Sequence, residues 1–221
     1  MVRSRQASLI GFILLVALSS VCEAVDRPNI DLVHARPLRL VHGVNRFSDF
    51  DGKGHPAQII SAWRENMNAH GYNIYSILMP RPDRQTDWNL VTFETHDDDL
   101  KGGSELDALY EKPYNDEQVI ASVRFVKAQW KGTPATLAIT ARRDLSHTES
   151  FIDAVPVEFE IFTLAVNKEG VPGWPFYYFD RVEHFISDNR YCNSDLALSK
   201  ELRLPLPKDY AGPNKDDGCV R

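Results

Sequence analysis

The 221-residue chain predicts an all-β domain, a single antiparallel β-sandwich or open barrel with one short C-terminal helix. Three observations lead there. Several segments alternate apolar with polar residues, as in ATLAITARR at 135–143 and VPVEFEIFTLAV at 155–166, the pattern of half-buried strands. Turn residues punctuate these segments, notably Gly43, Gly52, Gly54 and the pair Lys131-Gly132. Helix signals gather in one place near the C-terminus, where Asn193 or Ser194 stands as a cap before DLALSKEL at 195–202.

Taken in order, residues 25–37 read as a polar lead-in, and the domain proper as 38–203. LRLVH at 38–42 reads as a short strand ending at Gly43. AQIISAWREN at 57–66 and YNIYSILM at 72–79 are strands rich in β-branched and aromatic residues, joined as a hairpin, with Pro80 and Pro82 closing the second. WNLVTFE at 88–94 follows as a strand. The acidic, glycine-containing stretch 96–115 reads as a long loop with one helical turn near 105–110. Strands at 119–130 and 135–143 flank the Lys131-Gly132 hairpin turn. The stretch 176–186 fits either helical spacing or a strand, and its Tyr/Phe density favours the strand. Residues 204–221 form a Pro/Gly-rich tail.

The N-terminus predicts export. Arg3 and Arg5 precede an apolar run, LIGFILLVAL at 9–18, and the small residues of SSVCEA at 19–24 place cleavage after Ala24. A run of that length is too short for a membrane span, which needs about 20 apolar residues. Cys22 raises a lipoprotein alternative, but Val21 stands where a small residue is wanted. The expected location is the periplasm or the exterior, without a transmembrane anchor. The formal charge of −6 and the lack of a basic stripe argue against nucleic acid as a partner. After cleavage, Cys192 and Cys219 remain, and an even pair in an oxidising compartment predicts a disulfide tying down the tail.

The search for chemistry returns few motifs. There is no G-x-S-x-G and no H-E-x-x-H. Ser187-Asp188-Asn189 spells one element of the serine β-lactamases, but S-x-x-K and K-T-G are missing. The histidines are scattered singly. Nothing calls for a cofactor, and the expectation is a protein that is not an enzyme. Asp49 and Asp51 in DFDGKGH could start a calcium loop, yet Lys53 and His55 occupy positions where oxygen ligands are needed, so a plain turn is favoured. The run Asp97-Asp98-Asp99 is most simply solvated loop. The densest polar concentration is Arg64, Glu65, Asn66, Asn68 and His70 around the hairpin turn at 67–71. Asn and Gly suit a turn, but Arg64, Glu65 and His70 are not needed for one. Arg142, Arg143 and Asp144 end a strand, where an Arg–Asp ion pair competes with ligand contact as the explanation.

DFDGKGHP at 49–56, WRENMNAHGYNIY at 63–75 and WNLVTF at 88–93, followed in order by ARRDL at 141–145, VPVEFEIF at 155–162, GVPGWPFYYF at 170–179 and RYCN at 190–193, resemble the CarG-like carbapenem intrinsic-resistance proteins, also called the CpmJ family. The resemblance spans most of residues 40–202. It implies an exported, β-rich, non-hydrolytic protein that protects a cell against a carbapenem-type β-lactam by binding the drug or shielding its target. It places Arg64, Glu65, Asn66, Asn68, His70, Arg143 and Asp144 on family motifs as candidate ligand contacts, with Trp63 or Tyr72 as an apolar wall, and it brings no catalytic role. A family cysteine at the strand 119–130 is absent here, where Ala121 stands nearby, implying a bridge rewired to Cys192–Cys219. Two other readings compete. An envelope-binding module would take peptidoglycan, glycan or a protein on Trp174, Phe176 and Tyr177, sharing only the fold. An unrecognised hydrolase would use His70 or Glu65.

Overall fold

The computed structural model describes residues 31–67, 70–95, 104–115, 118–148, 150–170, 172, 174–213 and 217–219. Residues 1–24, expected to be a leader cleaved after Ala24 and containing Cys22, lie outside the described residues, as do Asn68 and the triple aspartate 97–99. Eleven strands and one helix are described: β1 (Asp31–Pro37), β2 (Gly43–Phe47), β3 (Ala57–Arg64), β4 (Tyr72–Arg81), β5 (Arg84–Thr95), β6 (Ser104–Leu106), β7 (Leu109–Asn115), β8 (Gln118–Trp130), β9 (Thr133–Arg143), β10 (Val157–Val166), β11 (Tyr177–Ile186) and α1 (Ser194–Leu202).

Seven of these strands close a ring in the order β4-β7-β8-β9-β10-β11-β5 and back to β4. The fold is therefore β-rich as expected, but it is a closed barrel with extra strands, neither a sandwich nor an open barrel. Closure runs through β4. Its residues 72–78 pair with β3, while Asn73–Tyr75 pair with β7 and Ile77–Arg81 with β5. Since β3 overlaps both of the other partners, β5 and β7 must share the opposite edge of β4. All pairings are antiparallel except β11 with β5, where Tyr178, Phe179 and Asp180 run parallel to Thr92, Phe93 and Glu94.

Two apolar clusters follow from alternation. β9 gives Ala138 to one cluster and Leu137 and Ile139 to the other, because successive side chains leave opposite faces of a strand. The first cluster draws on strands around the ring and contains Ile77, Phe93, Phe125, Phe162 and Phe179. The second combines Val126, Leu137, Ile139, Phe159 and Ile161 with Leu32 of β1 and Leu198 of α1. On β10, Ile161 and Phe162 join different clusters at the point where the register with β11 shifts.

Most hairpins stand where turn chemistry puts them. Lys131 and Gly132 both take positive φ, 48° and 80°, as a two-residue turn between β8 and β9 requires. Three expectations change. Residues 38–42 are not a strand; Leu38 is tied to the barrel by its N–H donating to the Phe125 carbonyl at 2.8 Å, and the stretch runs as a strap. Residues 31–37 of the expected lead-in pair with β8 instead. The helical turn near 105–110 is replaced by β6 and β7, because Leu109, Tyr110 and Glu111 pair with β4 and find their hydrogen bonds there.

The C-terminal tail is stapled by the Cys192–Cys219 disulfide. Asn193 caps α1 by accepting from the N–H groups of Asp195 and Leu196 at 2.8 and 3.3 Å. Gly218, at φ +69°, lies against Leu196, where an added Cβ would come within 2.8 Å of the Leu196 Cδ2. That close approach folds the tail back over the start of the helix. Among the described residues no helix is long and apolar enough to cross a membrane.

Candidate functional site

A groove of roughly 920 Å³ opens between the strap at 37–41 and the tail at 205–210. Leu38 and Leu40 form one wall, Pro205, Leu206 and Tyr210 the other, and Val123 and Phe125 continue the apolar lining. Its floor is polar: Asn73 and Tyr75 of β4, Glu111 of β7, Arg124 of β8 and Asp195 of α1. Asn73 and Glu111 sit directly opposite each other in the β4–β7 ladder, which explains how an amide and a carboxylate meet. Asp195 arrives from the first turn of α1, where the helix dipole favours a negative group.

The floor's side-chain donors converge on the two carboxylates, with Arg124 Nη1 also donating to the Val123 carbonyl at 2.8 Å. Glu111 accepts from Asn73 Nδ2 at 2.9 Å, from the Tyr75 hydroxyl at 2.8 Å and from Arg124 Nη1 at 2.9 Å. Asp195 Oδ1 accepts from Arg124 Nη2 and from Ser122 Oγ, the latter at 2.5 Å. Ser194 Oγ lies 2.6 Å from Ser122 Oγ and 3.1 Å from the Val119 carbonyl, the two acceptors open to its single proton. Because only the amide nitrogen can donate to Glu111, Asn73 is oriented, and its Oδ1 is buried without a hydrogen-bond partner.

Charge in the floor does not balance: two carboxylates face one guanidinium. Burial raises the Asp195 carboxyl above its ordinary value, and Arg124 and Ser122 pull against that rise without reversing it, while Glu111 and Asp209 add to it. Burial opposes the Arg124 charge, but Asp195 and Glu111 outweigh it and hold that guanidinium above its usual value. Burial, then the Glu111 charge, pushes the Tyr75 phenol well upward, so it remains a neutral donor.

The residues singled out by sequence divide between two other places. Arg64 points along the hairpin to the Tyr72 hydroxyl and lies over that ring, 5.3 Å from its centroid. Glu65 accepts from the Met67 N–H at 2.9 Å and Asn66 donates to the His70 carbonyl at 2.7 Å, so both serve the turn. Gly71 is required there, since a Cβ would fall 2.1 Å from the Trp63 ring. Asn66, His70 and Tyr72 border a smaller groove of roughly 300 Å³ with Lys112, Ile120 and Phe151, adjoining the larger one at Pro113.

Arg143 is 2% exposed and donates to the carbonyls of Tyr191, Phe151 and Asp153 at 3.2, 2.8 and 2.7 Å. Burial pushes its pKa down to about 10. Its guanidinium bonds to loop backbone, its Nη1 is buried without a hydrogen-bond partner, and its link to the smaller groove is indirect, through Phe151. Asp144 accepts from the Ser146 N–H and hydroxyl at 3.0 and 2.5 Å, which lowers its pKa. Asp49 and Asp51 cap their own turn: Asp49 accepts from the Gly54 N–H at 2.8 Å and Asp51 from the Lys53 N–H at 2.9 Å, with His55 Nδ1 at 2.5 Å. Among the described residues no group of three or more His, Cys, Asp or Glu side chains is set to hold a metal.

No family model and no curated protein matches the chain. Among solved structures, it is similar to the crystal structure of CarG, with a TM-score of 0.56 at 19% identity, over 77% of this chain and 99% of that one. The chain has a CarG-like fold.

Proposed function

We propose that the chain is an exported, non-hydrolytic resistance protein that blunts a carbapenem-type β-lactam by holding the drug in the large groove or by shielding the drug's target. The groove carries this reading. Its volume suits a small bicyclic ligand, and apolar walls around a few fixed polar groups are what such ligands bind. Arg39 on the strap and Lys208 on the tail stand on opposite walls, where either can meet the drug's carboxylate in a charge-assisted hydrogen bond. The CarG-like fold and the family motifs at 63–75 support the assignment. Binding is favoured over acylation because the Ser122 and Ser194 hydroxyls are fully buried, bonded to each other, and absent from the groove lining.

The test is calorimetric titration of the purified, disulfide-bonded protein with a carbapenem while the β-lactam absorbance is followed. Saturable heat with the absorbance intact is the expected result. Loss of absorbance replaces the proposal with a hydrolase. No heat, together with no protection of cells expressing the protein, overturns it; selective retention of cell-wall fragments then moves the function to envelope binding.

A further inference from the structure

We infer that the groove floor is an ammonium site: the ligand it selects carries a protonated amine that docks between Asp195 and Glu111, with any carboxylate held away at the rim. The inference rests on the groove being the ligand site and goes further by naming the ligand's chemistry.

The argument begins with what the floor has left to offer. Arg124, Tyr75, Asn73 and Ser122 all donate to Glu111 or Asp195, so the floor's donors are turned toward its own two acids. Acceptor capacity remains. A carboxylate has about four lone-pair sites, and Asp195 accepts through Oδ1 alone, from Arg124 and Ser122. Its side chain is 9% exposed yet lines the groove, so the unfilled Oδ2 belongs to a carboxylate that water reaches poorly. Asn73 Oδ1, beneath the same floor, is a second acceptor without a partner, though it is buried from solvent.

Electrostatics agree with the hydrogen-bond count. The floor itself holds one more acid than base, while the basic Arg39 and Lys208 and the acidic Asp209 stand on the strap and the tail, away from it. A drug carboxylate placed on this floor would meet two acids whose only guanidinium is already shared between them. An ammonium brings three donors and no acceptor, supplying the missing charge and filling the open lone pairs together. The partial burial of Arg124, Glu111 and Asp195, at 19, 16 and 9% side-chain exposure, keeps solvent from screening the contact fully.

The experiment compares amines with their acetylated forms on two scaffolds: a carbapenem bearing a secondary amine and its N-acetyl derivative, and a lysine-containing tripeptide and its Nε-acetyl derivative. A hydrogen bond to a charged group is worth about 1.5–3 kcal/mol, so each amine should bind roughly ten- to a hundredfold tighter than its acetylated form. The preference should disappear in Asp195→Asn, checked for native near-ultraviolet dichroism; should that variant not fold, Glu111→Gln serves the same purpose. Equal binding of amine and acetyl forms overturns the ammonium site and leaves the β-lactam reading standing. A preference shown by the peptide pair alone upholds the site and removes the β-lactam reading. No binding by any of the four overturns both, and a preference that survives Asp195→Asn places the cation elsewhere and overturns the assignment.

Discussion

Arg124 and Arg143 are buried arginines on neighbouring strands, and they could hardly be used more differently. Arg124 pairs with two carboxylates, Glu111 and Asp195, beside a groove. Arg143 donates to three backbone carbonyls and ties the loop at 151–153 to Tyr191. Ionic partners outweigh the burial of the first guanidinium, whereas burial prevails at the second, which bonds to carbonyls and has only the Asp153 charge to oppose it. A buried arginine is thus a poor guide to a binding site until its partners are known. Where they are carboxylates lining a cavity, the charge belongs to a site; where they are carbonyls, it belongs to the scaffold.

The contrast can be broken by substitution. Arg124→Met should have the largest effect, a loss of about 3–5 kcal/mol in urea unfolding, because it strands two buried acids without a counter-charge. That loss should depend on pH. Asp195 already has a raised carboxyl pKa, so the folded state keeps its proton to higher pH than the unfolded chain does, and stability falls as pH rises from the unfolded value of 3.8 through the folded one. Removing Arg124 should steepen this fall and extend it to higher pH. If the cost is the same in mild acid as at neutrality, Arg124 is not acting as the counter-charge.

Arg143→Met should cost less, about 2–3 kcal/mol, from carbonyls left without a donor. The cost should change far less across the same acid range, since the bonded carbonyls do not titrate and only the Asp153 charge acts on Arg143, and faster proteolysis at 150–153 should accompany it. A cost there as steep in pH as that of Arg124→Met would erase the distinction between the two arginines. The smallest effect belongs to Arg64→Ala, whose guanidinium sits exposed over Tyr72; the urea midpoint should move by no more than the scatter of the measurement.

The same contrast explains what the sequence revealed. Alternation and turn chemistry located β3, β4, β8, β9 and β10 because they depend on neighbours in the chain. The strap at 38–42 reads as a strand because Leu38 and Leu40 alternate as a strand does, yet they line a groove wall. Ring closure was invisible because it depends on pairings between distant segments, such as β11 with β5. The candidate residues around Arg64 stand out by local polar density; Glu65 and Asn66 bond within the turn, while Asn66, His70 and Tyr72 border the smaller groove. The floor was missed because each member is a lone polar residue in its own strand or helix. Arg124 in VIASVRFV did carry a signal, a charge within an apolar strand that must find a partner, but its partners lie 13 and 71 residues away.

The parallel seam between β11 and β5 also bears on how the molecule assembles. Hairpins such as β8–β9 and β10–β11 need only short excursions of chain and can form early. The seam joins segments with most of the barrel between them, so the entropy of closing a long loop is lost before Thr92, Phe93 and Glu94 gain their partners. Until it closes, the β5 and β11 edges expose hydrogen-bonding groups beside Phe93 and Phe179, two of the core's fully buried aromatics. The slow, aggregation-sensitive interval in the life of this chain is the one before its barrel becomes a ring.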